Sequence, residues 1–284
     1  MQENIGQHLL VRIVDDFLLI TTNRDVSLDF VQRMSNGSSE LGVYINKQKT
    51  LTSYSAAITN SDGSELLLED GTIKDYSGSE CFPWCGLLFD RSTGEVHVDY
   101  SRFAHRNAIH GLTIDRFSDE GKTFEIRIKS FVRPRCQSLL FDPEINSPDV
   151  IASNFYQMMM LSAIKSGEYL RNGLSGGASK NPIFLVRCID NLVRYSHRLI
   201  TSRIMESRKR DGKAFLGKMD CFFLTLDGFH FVLSAMKMMH PDFACTTLLD
   251  HLSQRILRAP LRSDDLTNLI AISRQQFNLA KMLS

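Results

Sequence analysis

Apolar residues crowd positions 9–20, LLVRIVDDFLLI, where Val, Ile, Leu and Phe run up to Asp15 and Asp16 and away again. Strand formers on both sides of a polar pair predict a β-hairpin over 8–22 with the aspartates at its turn. Val26, Leu28, Phe30, Val31 and Met34 then fall near helical spacing over 25–34, and Asn36-Gly37 supplies a stop. Residues 42–58 alternate enough, with β-branched and aromatic side chains, to predict strands. Asp62-Gly63, Asp70-Gly71 and Ser77-Gly78 punctuate a loop-rich connection ahead of the single tryptophan, Trp84. From about Val96 the periodicity lengthens, and 101–111, 145–172, 181–205, 213–238 and 243–283 read mostly as helices. Gly167 and the glycines of 173–177 separate two of these, and Asn181-Pro182 suits a cap followed by a first-turn proline. Residues 124–132, FEIRIKSFV, alternate strictly, which argues for a strand, while Pro134 must kink or end whatever forms there. Met158-Met159-Met160 reads as core packing, and no internal repeat is visible. The fold class expected is α+β, with strands and one helix in the first third and helices beyond.

A length of 284 residues leaves room for about two domains, and 43% apolar content suits a chain that buries a proper core. No stretch approaches the ~20 uncharged apolar residues of a membrane span, and the N-terminus has no basic region followed by an apolar run, so neither membrane nor secretion is expected. Six cysteines (81, 85, 136, 188, 221, 245) spread through so long a chain favour reduced thiols in a cytosolic or nuclear setting. The net charge of +1 conceals an asymmetry. Residues 1–100 carry 7 basic against 15 acidic side chains, a net of −8, whereas 101–284 carry 26 against 17, a net of +9. Carboxylates for cations in one half and cations for phosphates in the other suit phosphodiester chemistry, although drift of charge along a chain gives the same sums.

The aspartate pair sharpens that idea. Side-by-side carboxylates repel unless a cation or donor compensates them, which points to a metal site, with magnesium the expected ion. Asp-Asp at a hairpin tip with both side chains in water is the competing reading. Cys81, Cys85 and His97 do not make a zinc site on this pattern: the spacing is atypical and no fourth ligand stands out.

Several strings in series carry a family likeness: LLVRIVDDFLLIT (9–21), LGVYINKQKT (41–50), CFPWCGLLFD (81–90) followed by VHVDYSRFA (96–104), RCQSLLFDPEINS (135–147) and NPIFLVRCIDNL (181–192). Together they resemble the C-terminal portion of the telomerase reverse transcriptase family. Val-Asp-Asp is shared with other reverse transcriptases, and the Phe-Pro-Trp-Cys-Gly-Leu-Leu string and helical tail are more specific to telomerase. The resemblance implies the C-terminal part of a reverse-transcriptase palm over 1–95 and a helical thumb over 96–284, with a helix at 124–132. It implies that Asp15 and Asp16 hold two magnesium ions for nucleotidyl transfer, Asp15 as the more direct ligand, and that Lys49 lies near the triphosphate. Phe82, Trp84, Cys85, Gly86 and Leu87 match the primer grip, which holds the primer end in place. Trp84 could pack on the sugar face of the primer or fill the core between palm and thumb. In the thumb, Lys129, Arg133, Arg135, Gln137, Ser138 and Asn146 match donors to the phosphates and sugar edges of an RNA–DNA hybrid. The cluster Arg203, Arg208, Lys209, Arg210 and Lys213 reads as a charged loop before it reads as a nucleic-acid contact or a nuclear-import patch.

The partners so implied are a telomeric DNA primer, the telomerase RNA template, deoxynucleoside triphosphates and the remainder of the polymerase chain, in the nucleus at telomeres. A complete member of the family also carries an RNA-binding domain, fingers and a palm strand with a third catalytic aspartate. None of these is recognised in these residues, so a fragment inactive by itself is expected. Two rivals stay open: a retroelement reverse transcriptase, and a non-catalytic module that binds hybrid and carries vestigial carboxylates.

Overall fold

The apolar run at the start of the chain folds on itself as β1 (His8–Ile13) and β2 (Asp16–Thr21), antiparallel, in register from His8 opposite Thr21 to Ile13 opposite Asp16. Only Val14 and Asp15 are left to turn the chain, and Val14 sits at φ 53. A β-branched residue in that left-handed region is strained by about 1–3 kcal/mol. Arg12 braces the turn from the side. Its Nε donates to the Val14 carbonyl at 2.7 Å, and its guanidinium lies 5.2 Å from the Phe17 ring centroid. Helix α1 (Arg24–Asn36) follows, packed on β2, capped by the Asn23 side chain at its start and ended by Gly37 at φ 65.

The computed structural model describes residues 8–38, 40, 42, 45–46, 49–54, 58–59, 65–66, 74–103, 112, 119–173, 181–207, 216–259 and 264–283. It divides into two units, Met1–Thr93 and Gly94–Ser284. The fold is α+β with a helical C-terminal part.

In the first unit, of the strands expected over 42–58 the described residues hold β3 (Leu51–Thr52) and the start of β4 (Ile58–Thr59), while 43–44, 47–48 and 55–57 lie outside the described residues. The Asn46 carbonyl accepts the Lys49 N–H at 3.0 Å. Short β5 (Glu65–Leu66) pairs antiparallel with β4, and β6 (Lys74–Asp75) pairs parallel with β3. A second hairpin then forms from β7 (Cys81–Trp84) and β8 (Leu87–Asp90). Cys85 (φ 50) and Gly86 (φ 82) turn it, both with the positive φ that a two-residue type I′ loop requires. Just past β8, the Arg91 guanidinium donates to the carbonyls of Ser53, Tyr76, Ser77 and Ser79, tying the preceding loop to the hairpin.

The second unit opens with β9 (Val96–Val98) and a 3-10 turn (Ser101–Phe103), then becomes helical. α2 (Glu120–Val132) settles the ambiguous FEIRIKSFV as helix. Beneath its alternation, Phe124, Ile128, Phe131 and Val132 recur at i, i+4, i+7 and i+8, and these are the side chains that are buried. Pro134 falls in the 3-10 turn Arg133–Arg135 that follows, before the single-turn α3 (Ser138–Phe141). Next come α4 (Pro148–Asn172), α5 (Pro182–Ser207), α6 (Lys218–Met239), α7 (Thr246–Leu257), α8 (Asp264–Phe277) and α9 (Leu279–Leu283). Asn181 accepts the Phe184 N–H at 3.0 Å, so the expected cap and first-turn proline of α5 are in place.

α4 is buried nearly all round, including the three consecutive methionines, and packs against α2, α6 and α8. Gly167 does not interrupt it, contrary to the sequence expectation. A Cβ there would meet Met236 Sδ at 2.5 Å, so glycine serves the close approach of α6, and Gly173 ends the helix instead. By length and composition α6 could cross a membrane. Its Phe223, Leu224, Phe229 and Val232 are instead buried in the helical core, and its Asp227 accepts from Tyr156 of α4 at 2.6 Å and from Arg274 of α8 at 2.6 Å. Burial, then Asp227 itself, pushes the Tyr156 hydroxyl well above its ordinary pKa, which keeps it a donor.

Candidate active site and nucleic-acid surface

Both aspartates of the first hairpin are exposed. Asp15 occupies its turn, and Asp16 is the first residue of β2. The turn of the second hairpin meets them. The Cys85 thiol donates to Asp16 Oδ2 at 3.3 Å, joining positions 69 residues apart. The turn of the hairpin carrying Phe-Pro-Trp-Cys-Gly thus touches the first residue after the turn of the hairpin carrying Asp-Asp.

Around that contact the second hairpin is packed from within. Phe82 stands edge-on to Tyr76 with centroids 6.1 Å apart, and Leu87 is buried. Trp84 is half-buried with its ring tilted against Phe89 at 6.3 Å. Its indole N–H is buried and has no hydrogen-bond partner among the described residues. Lys49 is exposed in the turn begun by Asn46 and forms no ion pair with either aspartate among the described residues.

Asp15 and Asp16 fit a magnesium ion in kind. They offer hard oxygen donors at the surface, with the Asp16 Oδ2 engaged by Cys85 and the other three oxygens turned to neither that thiol nor an ion pair among the described residues. In number they fall short of a whole coordination shell, since no group of three or more metal-binding side chains occurs among the described residues. Magnesium is ordinarily held by one or two carboxylates together with water and substrate phosphates, so two is a workable protein share for one ion.

In the second unit, Arg133, Gln137 and Ser138 line one open cleft of about 540 Å³ with Pro134 and Cys136. The break between α2 and α3 makes it: the proline-bearing 3-10 turn redirects the chain and leaves polar side chains along its rim. Lys129 lies one turn back, engaged with Glu125 at 2.9 Å, and Glu125 also accepts from Asn191. The Arg135 guanidinium is half-buried, donating to the Phe131 carbonyl at 2.6 Å and lying 5.6 Å from the Phe103 ring centroid.

Asn146 corrects the sequence expectation. It is 3% exposed, its oxygen accepts the Val96 N–H at 2.7 Å and its nitrogen donates to the Leu139 carbonyl at 2.8 Å. Both ends of the amide are therefore spent inside the unit, and Asn146 clips β9 to the loop before α4 instead of facing a groove. Of the basic cluster, Arg208, Lys209, Arg210 and Lys213 lie outside the described residues, as does the Arg203 side chain.

Two cations escaped the sequence reading. Arg12 clamps the aspartate turn, and only its two-residue distance from Val14 hinted at this. Lys165 of α4 lies 5.8 Å from the Phe131 ring centroid, and burial, then the nearby Arg135 charge, pulls it down to about 8. A lysine directly after the largely apolar stretch 158–164 was the available signal.

No family model matches the chain. Among curated proteins it is similar to telomerase reverse transcriptases. That of Oryza sativa subsp. japonica is 31% identical over 200 residues, 70% of this chain and 15% of the rice protein. That of Mus musculus is 34% identical over 162 residues, 55% of this chain and 13% of its own length. That of Takifugu rubripes is 28% identical over 256 residues, 87% of this chain and 22% of the fish protein. The chain therefore spans less than a quarter of the length of these relatives, and the likeness extends well beyond the Asp-Asp hairpin, across most of its residues.

Proposed function

We propose, from a chain that is a relative of the telomerase reverse transcriptases, that residues 1–95 contribute part of a polymerase palm and residues 96–284 a thumb. The reaction is RNA-templated extension of chromosome 3′ ends, in the nucleus. The observation that carries this reading is the bond from the Cys85 thiol to the Asp16 carboxylate at 3.3 Å, because it joins the hairpin we assign to the metal with the hairpin we assign to the primer end.

Asp15 and Asp16 would hold magnesium, which when bound supplies a lowered pKa at the primer 3′-hydroxyl and neutralisation of charge on the triphosphate. Lys49 places an ammonium for the departing pyrophosphate. Phe82, Trp84, Cys85, Gly86 and Leu87 keep the primer end in reach, where a displacement of about 1 Å is enough to cost roughly 10²-fold in rate. Arg133, Gln137 and Ser138, with Lys129 and Arg135 behind them, offer the hybrid sequence-independent donors, which suits a duplex that must slide. The partners are a telomeric primer, template RNA, deoxynucleoside triphosphates and the remainder of the polymerase chain. Since two carboxylates do not complete a two-ion site, activity is assigned to that assembly and not to these residues alone.

Asp15→Ala tests the reading in the reconstituted ribonucleoprotein. Primer extension is expected to fall by at least about 10²-fold, with hybrid affinity and thermal stability retained. Extension at the unaltered rate overturns the catalytic assignment and leaves a hybrid-binding module.

A further inference from the structure

Resting on the assignment of Asp15 and Asp16 as metal-holding carboxylates, we infer that Cys85 is a positioning residue whose thiol fixes the Asp16 carboxylate from the primer-seating turn. The turn that holds the primer end and the carboxylate that holds the cation are thereby one mechanical unit.

The backbone argues for it first. A type I′ loop prefers Asn, Asp or Gly at its first central position, because each tolerates positive φ. Cys85 takes that position at φ 50, and Gly86 supplies the second at φ 82. A cysteine there is locally disfavoured, and its thiol, which glycine lacks, donates to Asp16 Oδ2 at 3.3 Å. The opposing turn is held too. Val14 is kept at φ 53 by a two-residue loop, with its carbonyl taken by Arg12 Nε at 2.7 Å. The Cys85 turn thus reaches, through its thiol, the residue that follows the turn braced by Arg12.

The chemistry fits the same role. An exposed carboxylate rotates freely about its last bond, and a donor on one oxygen orients the other for a cation. A thiol is a weak donor, so it fixes direction while leaving the carboxylate's charge almost undiminished for the metal. Backbone on both sides of the contact belongs to hairpins, which hold such a geometry more closely than free loops do.

The test uses the reconstituted ribonucleoprotein with Cys85→Ala, Cys85→Gly and Cys85→Ser. Manganese(II) binding without nucleotide, followed by electron paramagnetic resonance, is read beside primer affinity. Ala and Gly are each expected to weaken manganese binding, measured in the absence of primer, roughly tenfold, and Ser, which keeps a donor, to stay within about twofold. Glycine relieves the positive φ, so its loss is a loss of the thiol and not of the turn. Unchanged manganese affinity in Ala or Gly, or a fall in primer affinity alone, overturns the inference. Asp15→Ala serves as the control: if it abolishes manganese binding while the cysteine variants do not, only the role of Cys85 fails. If it leaves manganese binding intact, the metal assignment itself fails.

Discussion

The two units handle their apolar side chains in opposite ways. In the second, α4 buries Phe155, Tyr156, Met158, Met159 and Met160 to 1% exposure or less, and α6 buries Leu224 and Leu226 completely. In the first, Leu9, Leu10 and Ile20 stand about half exposed on the hairpin and Val14 is 77% exposed, while Val31 and Leu87 are the buried apolar side chains among its described residues. At about 25 cal/mol per Å² of apolar area removed from water, stability concentrates in the helical unit. The first unit is held by individual side-chain bonds: the Asn23 cap, the Arg12 and Arg91 clamps, and the Cys85–Asp16 bond. Its chemistry sits on exposed, strained turns, and those turns are carried by the part of the chain with least core to lose. Substitutions there should move function more than folding, and the reverse should hold in the helices.

Phe155→Ala is the hardest blow to that contrast. Emptying a fully buried site in α4 should lower the unfolding free energy by about 3–5 kcal/mol in urea titration. A loss below 1 kcal/mol would mean the helical core is not where stability lies. Val14→Gly sharpens the other side. Its side chain is largely in water, so releasing the positive φ should stabilise the hairpin by about 1 kcal/mol, seen as slower amide exchange across β1 and β2. Faster exchange would show that Val14 packs on something.

Lys165→Met has the smallest effect, with a sign that pH reveals. In the native state this lysine is pulled down to about 8 from an ordinary 10.5. Below pH 8 it is charged in both native and unfolded chains, and the native state bears the full desolvation cost. Between about 8 and 10.5 the native state releases the proton first, so stability of the unaltered protein rises with pH. Methionine removes the cost, and the variant should be more stable at pH 7 by under about 1 kcal/mol, since the group is partly solvated. That advantage should shrink as pH rises through the window, followed by thermal melts at pH 7, 9 and 10.5.

Local rules made much of the frame legible. The first hairpin, α1 with its Gly37 stop and the Asn181-Pro182 start of α5 follow from residues within four positions of each other. Where they failed, longer-range contacts decided. Gly167 looked like a break until Met236 of α6 was seen to occupy the space a side chain would need. FEIRIKSFV carries strand and helix periods at once, and packing against α4 and α5 selects the helix. The candidate site divides the same way. Asp15 and Asp16 stood out because adjacent carboxylates in an apolar run are locally unfavourable. The Cys85 bond to Asp16 spans 69 residues and left no local trace, and Asn146 looked like a surface donor because nothing nearby in sequence shows that Val96 and Leu139 use both ends of its amide.

The division of labour between the two units is the central claim, and extension rate and hybrid affinity, measured on the same preparations of Asp15→Ala and Arg133→Ala in the reconstituted ribonucleoprotein, test it most directly. Asp15→Ala should lose extension with hybrid affinity intact. Arg133→Ala should weaken hybrid affinity and lower the salt slope by about one phosphate's share, with the rate at saturating primer kept. If both variants lose extension and affinity together, or if Arg133→Ala leaves the salt slope unchanged, the two units do not divide the work in this way.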